Sequence, residues 1–193
     1  MKIYLNILLL TSFLCGCAAF GTKTLYKTSE KTTSRNFGFT ELSIDSLHGV
    51  IPKKYSNTKN VFNETIMASF KEKGFDSLRF SNHFFSFSNP DTTKIRELCS
   101  IQNIDGIILS QLRFGSYQSG TGAIGYVVSS LTALDTEVAM KLYDKSGKLL
   151  ISTSHDTNMG NSYFWFPSQD TMVEDGTEGA VRRLIAELTS LSK

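Results

Sequence analysis

The chain has 193 residues, with 20 Lys and Arg against 18 Asp and Glu, a formal charge of +2, and a hydrophobic share of 40%. That is enough for one domain of ordinary size with a real core. The near-balanced charge lacks the clustered basic face of a nucleic-acid binder, which excludes that class of partner.

The amino terminus carries Lys2, an apolar run from Ile3 to Leu14 broken only by Asn6, Thr11 and Ser12, and then small residues. One positive charge, about a dozen mainly apolar residues and a small-residue exit are the build of a secretory signal. The run is too short to span a bilayer, which takes roughly 20 apolar residues, and Lys23, Lys27, Lys31 and Arg35 follow soon after it. A buried core strand is the competing reading, and the isolated Lys2 flank argues against it. Leu14-Cys15-Gly16-Cys17 resembles the lipobox of bacterial lipoproteins, in which a Leu and two small residues precede a cysteine that is diacylated at sulfur and becomes the new amino terminus. The resemblance implies cleavage between Gly16 and Cys17, with Cys17 as the lipid acceptor. Cys15 departs from the commoner Ala, Ser or Thr, and an ordinary secretory signal with two idle cysteines stays open. Family members carry three acyl chains, and because one chain binds a membrane only marginally while two or more anchor it stably, the resemblance implies a permanent anchor. Ala18 follows Cys17 in place of the Asp that retains such proteins at the inner membrane in the enterobacterial sorting rule, which points to the outer membrane with the domain facing the periplasm.

Cleavage leaves 177 residues with a formal charge of +1. Cys99 is then the one free thiol, and no disulfide within the chain is available. Phe20 to Asn36 is rich in Ser, Thr and Lys without a period and is expected as a flexible tether. As a random coil its 17 residues reach roughly 20 to 25 Å. The organisation expected is therefore a signal peptide at 1–16, acylated cysteine and tether at 17–36, and a single α/β domain at 37–193.

Phe37 to Ile44 is rich in β-formers, with Phe37 and Phe39 on one face and Leu42 and Ile44 out of phase with them, which predicts a bulge or bend. A helix is predicted over 60–73, with Phe62, Ile66, Met67 and Phe70 on its apolar face, Lys71 and Lys73 at the negative end of its dipole and Gly74 as its stop. A strand is expected over 77–85, with Phe80, Phe84, Phe85 and Phe87 as sheet core. Asn89-Pro90 then supplies a cap and first-turn proline for a second helix that buries Ile95, Leu98 and Cys99. Ile104 to Leu112 is a short apolar run suited to a central strand buried on both faces. Val138, Met140 and Leu142 alternate with polar residues, and Asp144-Lys145-Ser146-Gly147 turns the chain into Leu149 and Ile151, a hairpin. A last helix from Glu174 carries Val181, Leu184, Ile185, Leu188 and Leu191 on one stripe.

The fold class is thus α/β, a mixed sheet in the order β-α-β-α-β-β-β-α. That order behind a lipobox resembles the envelope lipoproteins related to the curli secretion channel (CsgG-like) and the amino-terminal domain of TolB. The local resemblance lies in 103–112 (NIDGIILSQL) and 139–150 (AMKLYDKSGKLL). It implies an envelope role and supplies no catalytic motif.

Gly120-Thr121-Gly122-Ala123-Ile124-Gly125 spells the dinucleotide fingerprint, but the fingerprint must open a helix. Here β-favouring Tyr126-Val127-Val128 follows, and Asp144, at the ribose-binding spacing, sits in the hairpin turn. From Phe114 to Leu134 no residue is charged. Two strands of that length could make a membrane β-hairpin, although apolar and polar residues do not separate cleanly between faces; an extended soluble hairpin or a loop is the plainer reading. Tyr163-Phe164-Trp165-Phe166 precedes the last helix and reads either as a partner contact or as the closure of one end of the core. His48, His83 and His155 have no partner at metal-ligand spacing, His155 and Asp156 point apart in a strand, and no G-x-S-x-G elbow is present. The expectation is a lipid-anchored, non-enzymatic envelope domain that binds a protein partner, with no cofactor or metal. A subunit of an oligomeric secretion or export assembly, built from several copies of the chain, is the second class, and a periplasmic enzyme of unrecognised type the third.

Overall fold

One strand organises the molecule. Gly106-Ile-Ile-Leu was expected to run through the middle of a sheet, and in the computed structural model, which describes residues 21–32, 36–46, 57–75, 79–117, 133–158 and 169–192, it opens the strand with most partners. In chain order the elements are β1 (Gly21–Lys27), β2 (Phe37–Thr40), β3 (Ser43–Ser46), α1 (Thr58–Glu72), β4 (Arg79–Ser81), α2 (Thr92–Gln102), β5 (Gly106–Tyr117), β6 (Ala133–Asp144), β7 (Leu149–Asn158) and α3 (Gln169–Leu191). The strands form one mixed sheet in the order β1-β7-β6-β5-β2-β4, with β3 also on β5. Helices α1 and α3 cover one face and α2 covers part of the other, which makes the α/β class a finding.

The predicted bulge is real. β2 pairs parallel with β5 up to Phe39↔Ile108, and β3 resumes the pairing at Ser43↔Gln111. Four steps along one strand therefore match three along its partner. The extra residue inverts the alternation, so Phe37, Phe39, Leu42 and Ile44 all reach the same core.

That core lies between the sheet and the two long helices. Phe62, Ile66 and Phe70 of α1 meet Ile108, Leu112, Phe114, Val138, Met140 and Leu142 of the sheet and Val173, Val181, Leu184 and Leu188 of α3. Gly74, at φ +79°, ends α1 in the left-handed conformation that glycine adopts without strain. Met67 departs from the expectation and is 42% exposed. The buried ridge of α1 is the strict i, i+4 row Thr58, Phe62, Ile66, Phe70, and Met67 lies about 100° round the helix from Ile66.

The opposite face holds a smaller cluster of Phe85, Phe87, Ile95, Leu98, Cys99, Ile104, Ile107, Leu109, Ala139 and Tyr143. Of the expected strand over 77–85, residues 77 and 78 lie outside the described residues, and the strand seen, β4, ends at Ser81, because β4 is an edge strand whose register with β2 ends there. Phe80 and Phe84 are consequently 44% and 66% exposed, whereas Phe85 and Phe87 are buried. Helix α2 begins two residues beyond the expected proline. Asp91 caps it, its carboxylate accepting from the backbone N–H of Thr93 (3.0 Å) and Lys94 (3.3 Å).

The hairpin forms as read. Asp144 Oδ1 accepts from the N–H groups of Ser146 (2.9 Å) and Lys148 (2.8 Å), and Gly147 takes φ +81° against Thr92. α3 starts five residues before Glu174, adding Met172 and Val173 to its buried stripe.

The largest correction concerns the tether. Gly21–Lys27 is an edge strand antiparallel to β7, from Gly21↔Asp156 to Lys27↔Ile151. Beyond it Thr28 N donates to Leu150 O (2.8 Å) and Thr32 N to Leu191 O (3.0 Å), and Asn36 Nδ2 donates to Asn103 O (2.9 Å). A sequence without apolar period is held instead by ladder hydrogen bonds and polar side chains.

Candidate functional site

Gly16 and Cys17 lie outside the described residues, as do the run from Tyr163 to Phe166 and the glycine motif at 120–125. The structure does fix where their flanks emerge. Across the sheet Gly21 pairs with Asp156, Asp156 with Glu137, Glu137 with Arg113 and Arg113 with Asp45. This row marks one end of the sheet, and the chain enters β1 there, four residues after Cys17. β7 leaves through the same end at Asn158, and the β5–β6 hairpin passes through it to its last described pair, Tyr117↔Ala133.

The row carries charges of both signs. Lys23 pairs with Asp156 at 3.1 Å and Arg113 with Glu137 at 3.3 Å. Strand alternation places Gln111, Ser152 and Ser154 on the face of Ala139 and Lys141, and all three are buried. This face is polar toward the row and apolar toward α2. At the boundary Lys141 Nζ donates to Phe87 O (2.7 Å) and sits 4.5 Å over the Phe87 ring; burial, then the nearby Arg113 charge, lowers its pKa.

Strand β1 is clamped to α3 by a network that the sequence reading missed. The Glu187 carboxylate accepts from Lys27 Nζ (2.8 Å), Arg183 (3.0 Å) and Thr24 Oγ1 (2.9 Å), and Arg183 Nε donates to Thr24 Oγ1 (2.6 Å). The Lys27 hydrogen bond chiefly holds Glu187 below the usual carboxylate range, burial opposing it. The spacing of Arg183 and Glu187 was a visible i, i+4 pair; that it faces a strand some 160 residues upstream was not.

His155 and Asp156 do point to opposite faces. His155 Nδ1 is 2.6 Å from Thr22 Oγ1, and its ring lies against Gly179 of α3, where a Cβ would overlap it. Burial pushes its pKa down, so the neutral imidazole is favoured. Cys99 is buried among Ile95, Leu98 and Ile107, its thiol pushed up to about 11 by burial and then by Asp144 and Asp105; this is a small core hydrophobe, as expected. On the outer surface an open groove of about 340 Å³ between α1 and α3 is lined by Glu64, Glu72, Glu174 and Glu178. Among the described residues no group of three or more His, Cys, Asp or Glu is arranged to hold a metal, and no described helix is long and apolar enough to cross a membrane.

No protein-family model matches the chain, and no curated protein does. Solved structures do resemble it. A PelC dodecamer from Paraburkholderia phytofirmans aligns with a TM-score of 0.51 at 10% identity over 87% of this chain and 96% of that one. A single-substitution PelC variant from the same organism, also a dodecamer, aligns with a TM-score of 0.50 at 12% identity over 88% and 97%. At such identities the likeness is one of fold, and the chain is an α/β domain of the fold seen in PelC.

Proposed function

We propose that this protein is a bacterial lipoprotein, held by acylated Cys17 in the outer membrane, whose periplasm-facing domain serves envelope assembly by binding a protein partner rather than by catalysis. The observation that carries the reading is Leu14-Cys15-Gly16-Cys17 behind a charged, apolar signal segment. The aromatic run Tyr163 to Phe166 is the partner contact in this reading. The test is metabolic labelling with a palmitate analogue, together with fractionation of the envelope. Wild-type protein incorporates label, sediments with outer membrane and has a mass lacking residues 1–16; Cys17→Ala incorporates none and leaves the membrane fraction. Retention of the first sixteen residues in native material defeats the reading. For the partner contact, Trp165→Ala in the anchored protein loses proteins that co-purify with the wild type.

A second reading has its own support. The fold is shared with a protein whose solved form is a dodecamer, which favours a subunit of an oligomeric secretion or export assembly. Light scattering on detergent-solubilised lipidated protein separates the two: a ring gives many times the mass of one processed 177-residue chain, and an accessory domain gives the mass of one.

A further inference from the structure

The docking of β1 has a geometric consequence for how the domain meets its membrane. If Cys17 is the anchor, as proposed above and on which this inference rests, only Ala18, Ala19 and Phe20 separate it from Gly21, the first residue of β1. Four residue steps of fully extended chain span at most about 14 Å. That bound holds for any conformation of the stub. A tether running to Asn36 would have allowed the domain to stand well clear of the bilayer and to tumble.

The same end of the sheet carries a projection of matching length. Gly21 is level with Asp156, Glu137 and Arg113, and the β5–β6 hairpin continues past that row through Phe114↔Thr136, Gly115↔Asp135 and Ser116↔Leu134 to Tyr117↔Ala133. Four further pairs at about 3.3 Å per residue project roughly 13 Å. The reach of the stub is therefore nearly equal to the projection as far as the last described pair, Tyr117↔Ala133. With the sheet upright, the anchor cannot sit in the bilayer without bringing the Tyr117↔Ala133 pair to its surface. The chemistry of the last pairs agrees with the geometry: from Phe114 to Leu134 the sequence has no charged residue, so Ser116↔Leu134 and Tyr117↔Ala133 meet lipid headgroups and ester groups without desolvating a charge, and Asp135, opposite Gly115, lies two pairs behind Tyr117↔Ala133 on the aqueous side. The charged pairs Lys23–Asp156 and Arg113–Glu137 lie one row back.

We propose that the three-residue stub holds the sheet end-on, with the Tyr117–Ala133 end of the β5–β6 hairpin pressed into the headgroup layer of the anchoring bilayer and the Asp144–Gly147 turn pointing away. The turn then stands roughly 36 Å farther out, eleven steps along β5, and presents the α2 side of the domain to the periplasm.

The test uses full-length lipidated protein in phospholipid vesicles that contain a nitroxide-headgroup lipid. A fluorophore is placed on a single introduced cysteine at Tyr117→Cys or Lys23→Cys near the proposed contact, or at Lys145→Cys in the distal turn. Cys99 is buried and does not compete for label. The expected result is quenching several-fold stronger at 117 and 23 than at 145. Ten Gly/Ser residues inserted between Phe20 and Gly21 give a connection of r.m.s. length about 20 Å and abolish the difference while the protein still floats with the vesicles. Flotation with equal quenching at the three positions, stronger quenching at 145, or a difference that survives the insertion overturns the orientation and leaves the anchor standing. Failure to float overturns both.

Discussion

Strands β5 and β1 belong to one sheet, separated by β6 and β7, and are held by different physics. β5 is buried on both faces: Ile108, Leu112 and Phe114 go into the α1–α3 core and Ile107 and Leu109 into the α2 cluster. β1 buries little. Leu25 and Tyr26 are largely exposed, and the strand is secured by Glu187 with Lys27, Arg183 and Thr24, by Thr22 on His155, and by Lys23 on Asp156. A strand fixed by dispersion and hydrophobic burial is insensitive to salt and mild acid, and a strand fixed by charge-assisted hydrogen bonds is not. The part of the molecule nearest the proposed anchor is thus the part that solution conditions reach most readily.

Four measurements sharpen or break this contrast. Leu112→Ala removes a fully buried side chain from the centre of the sheet and is expected to cost about 2–5 kcal/mol in denaturant-induced unfolding, with no change in the salt dependence. Glu187→Ala releases Lys27, Arg183 and Thr24 together. We expect a loss of about 1–2 kcal/mol and, more diagnostically, faster amide exchange confined to β1; an unchanged exchange rate at Thr24 to Thr28 means that the ladder alone holds the strand. The sign with pH follows from the depressed pKa of Glu187. In the unfolded chain the carboxyl takes up its proton first, so the contribution is complete above about pH 4.5 and is lost as pH falls toward the lower folded value.

His155 gives a smaller effect in a different window. Its folded pKa is lowered from 6.5 by burial, so the unfolded chain binds the proton more readily and stability declines as pH drops below about 6.5. His155→Gln should flatten the stability profile between pH 6.5 and the folded pKa; a slope retained there assigns the titration to another group. The smallest effect belongs to Lys23→Ala, which breaks an ion pair whose side chains are 62% and 42% exposed. Its cost should stay within about 0.5 kcal/mol and vanish in high salt.

Features governed by neighbours a few residues apart were readable in the sequence. Asp144-Lys145-Ser146-Gly147 turns because an Asp accepts from its own downstream amides and a Gly takes positive φ. α1 stops at Gly74 for the same local reason, the phase slip at Leu42 announces the bulge, and Val181 to Leu191 draw the stripe of α3. What tertiary structure alone decided is long-range. Nothing within Gly21–Lys27 marks it as a strand, since its partners Asp156 to Ile151 and Glu187 stand about 125 to 165 positions away in the chain. Phe80 and Phe84 look like core until an edge position leaves them in solvent. Composition and periodicity record how much apolar surface must be buried and on which face of an element; which distant groups meet, and which end of the sheet lies four residues from Cys17, follow only once the strands have found their register.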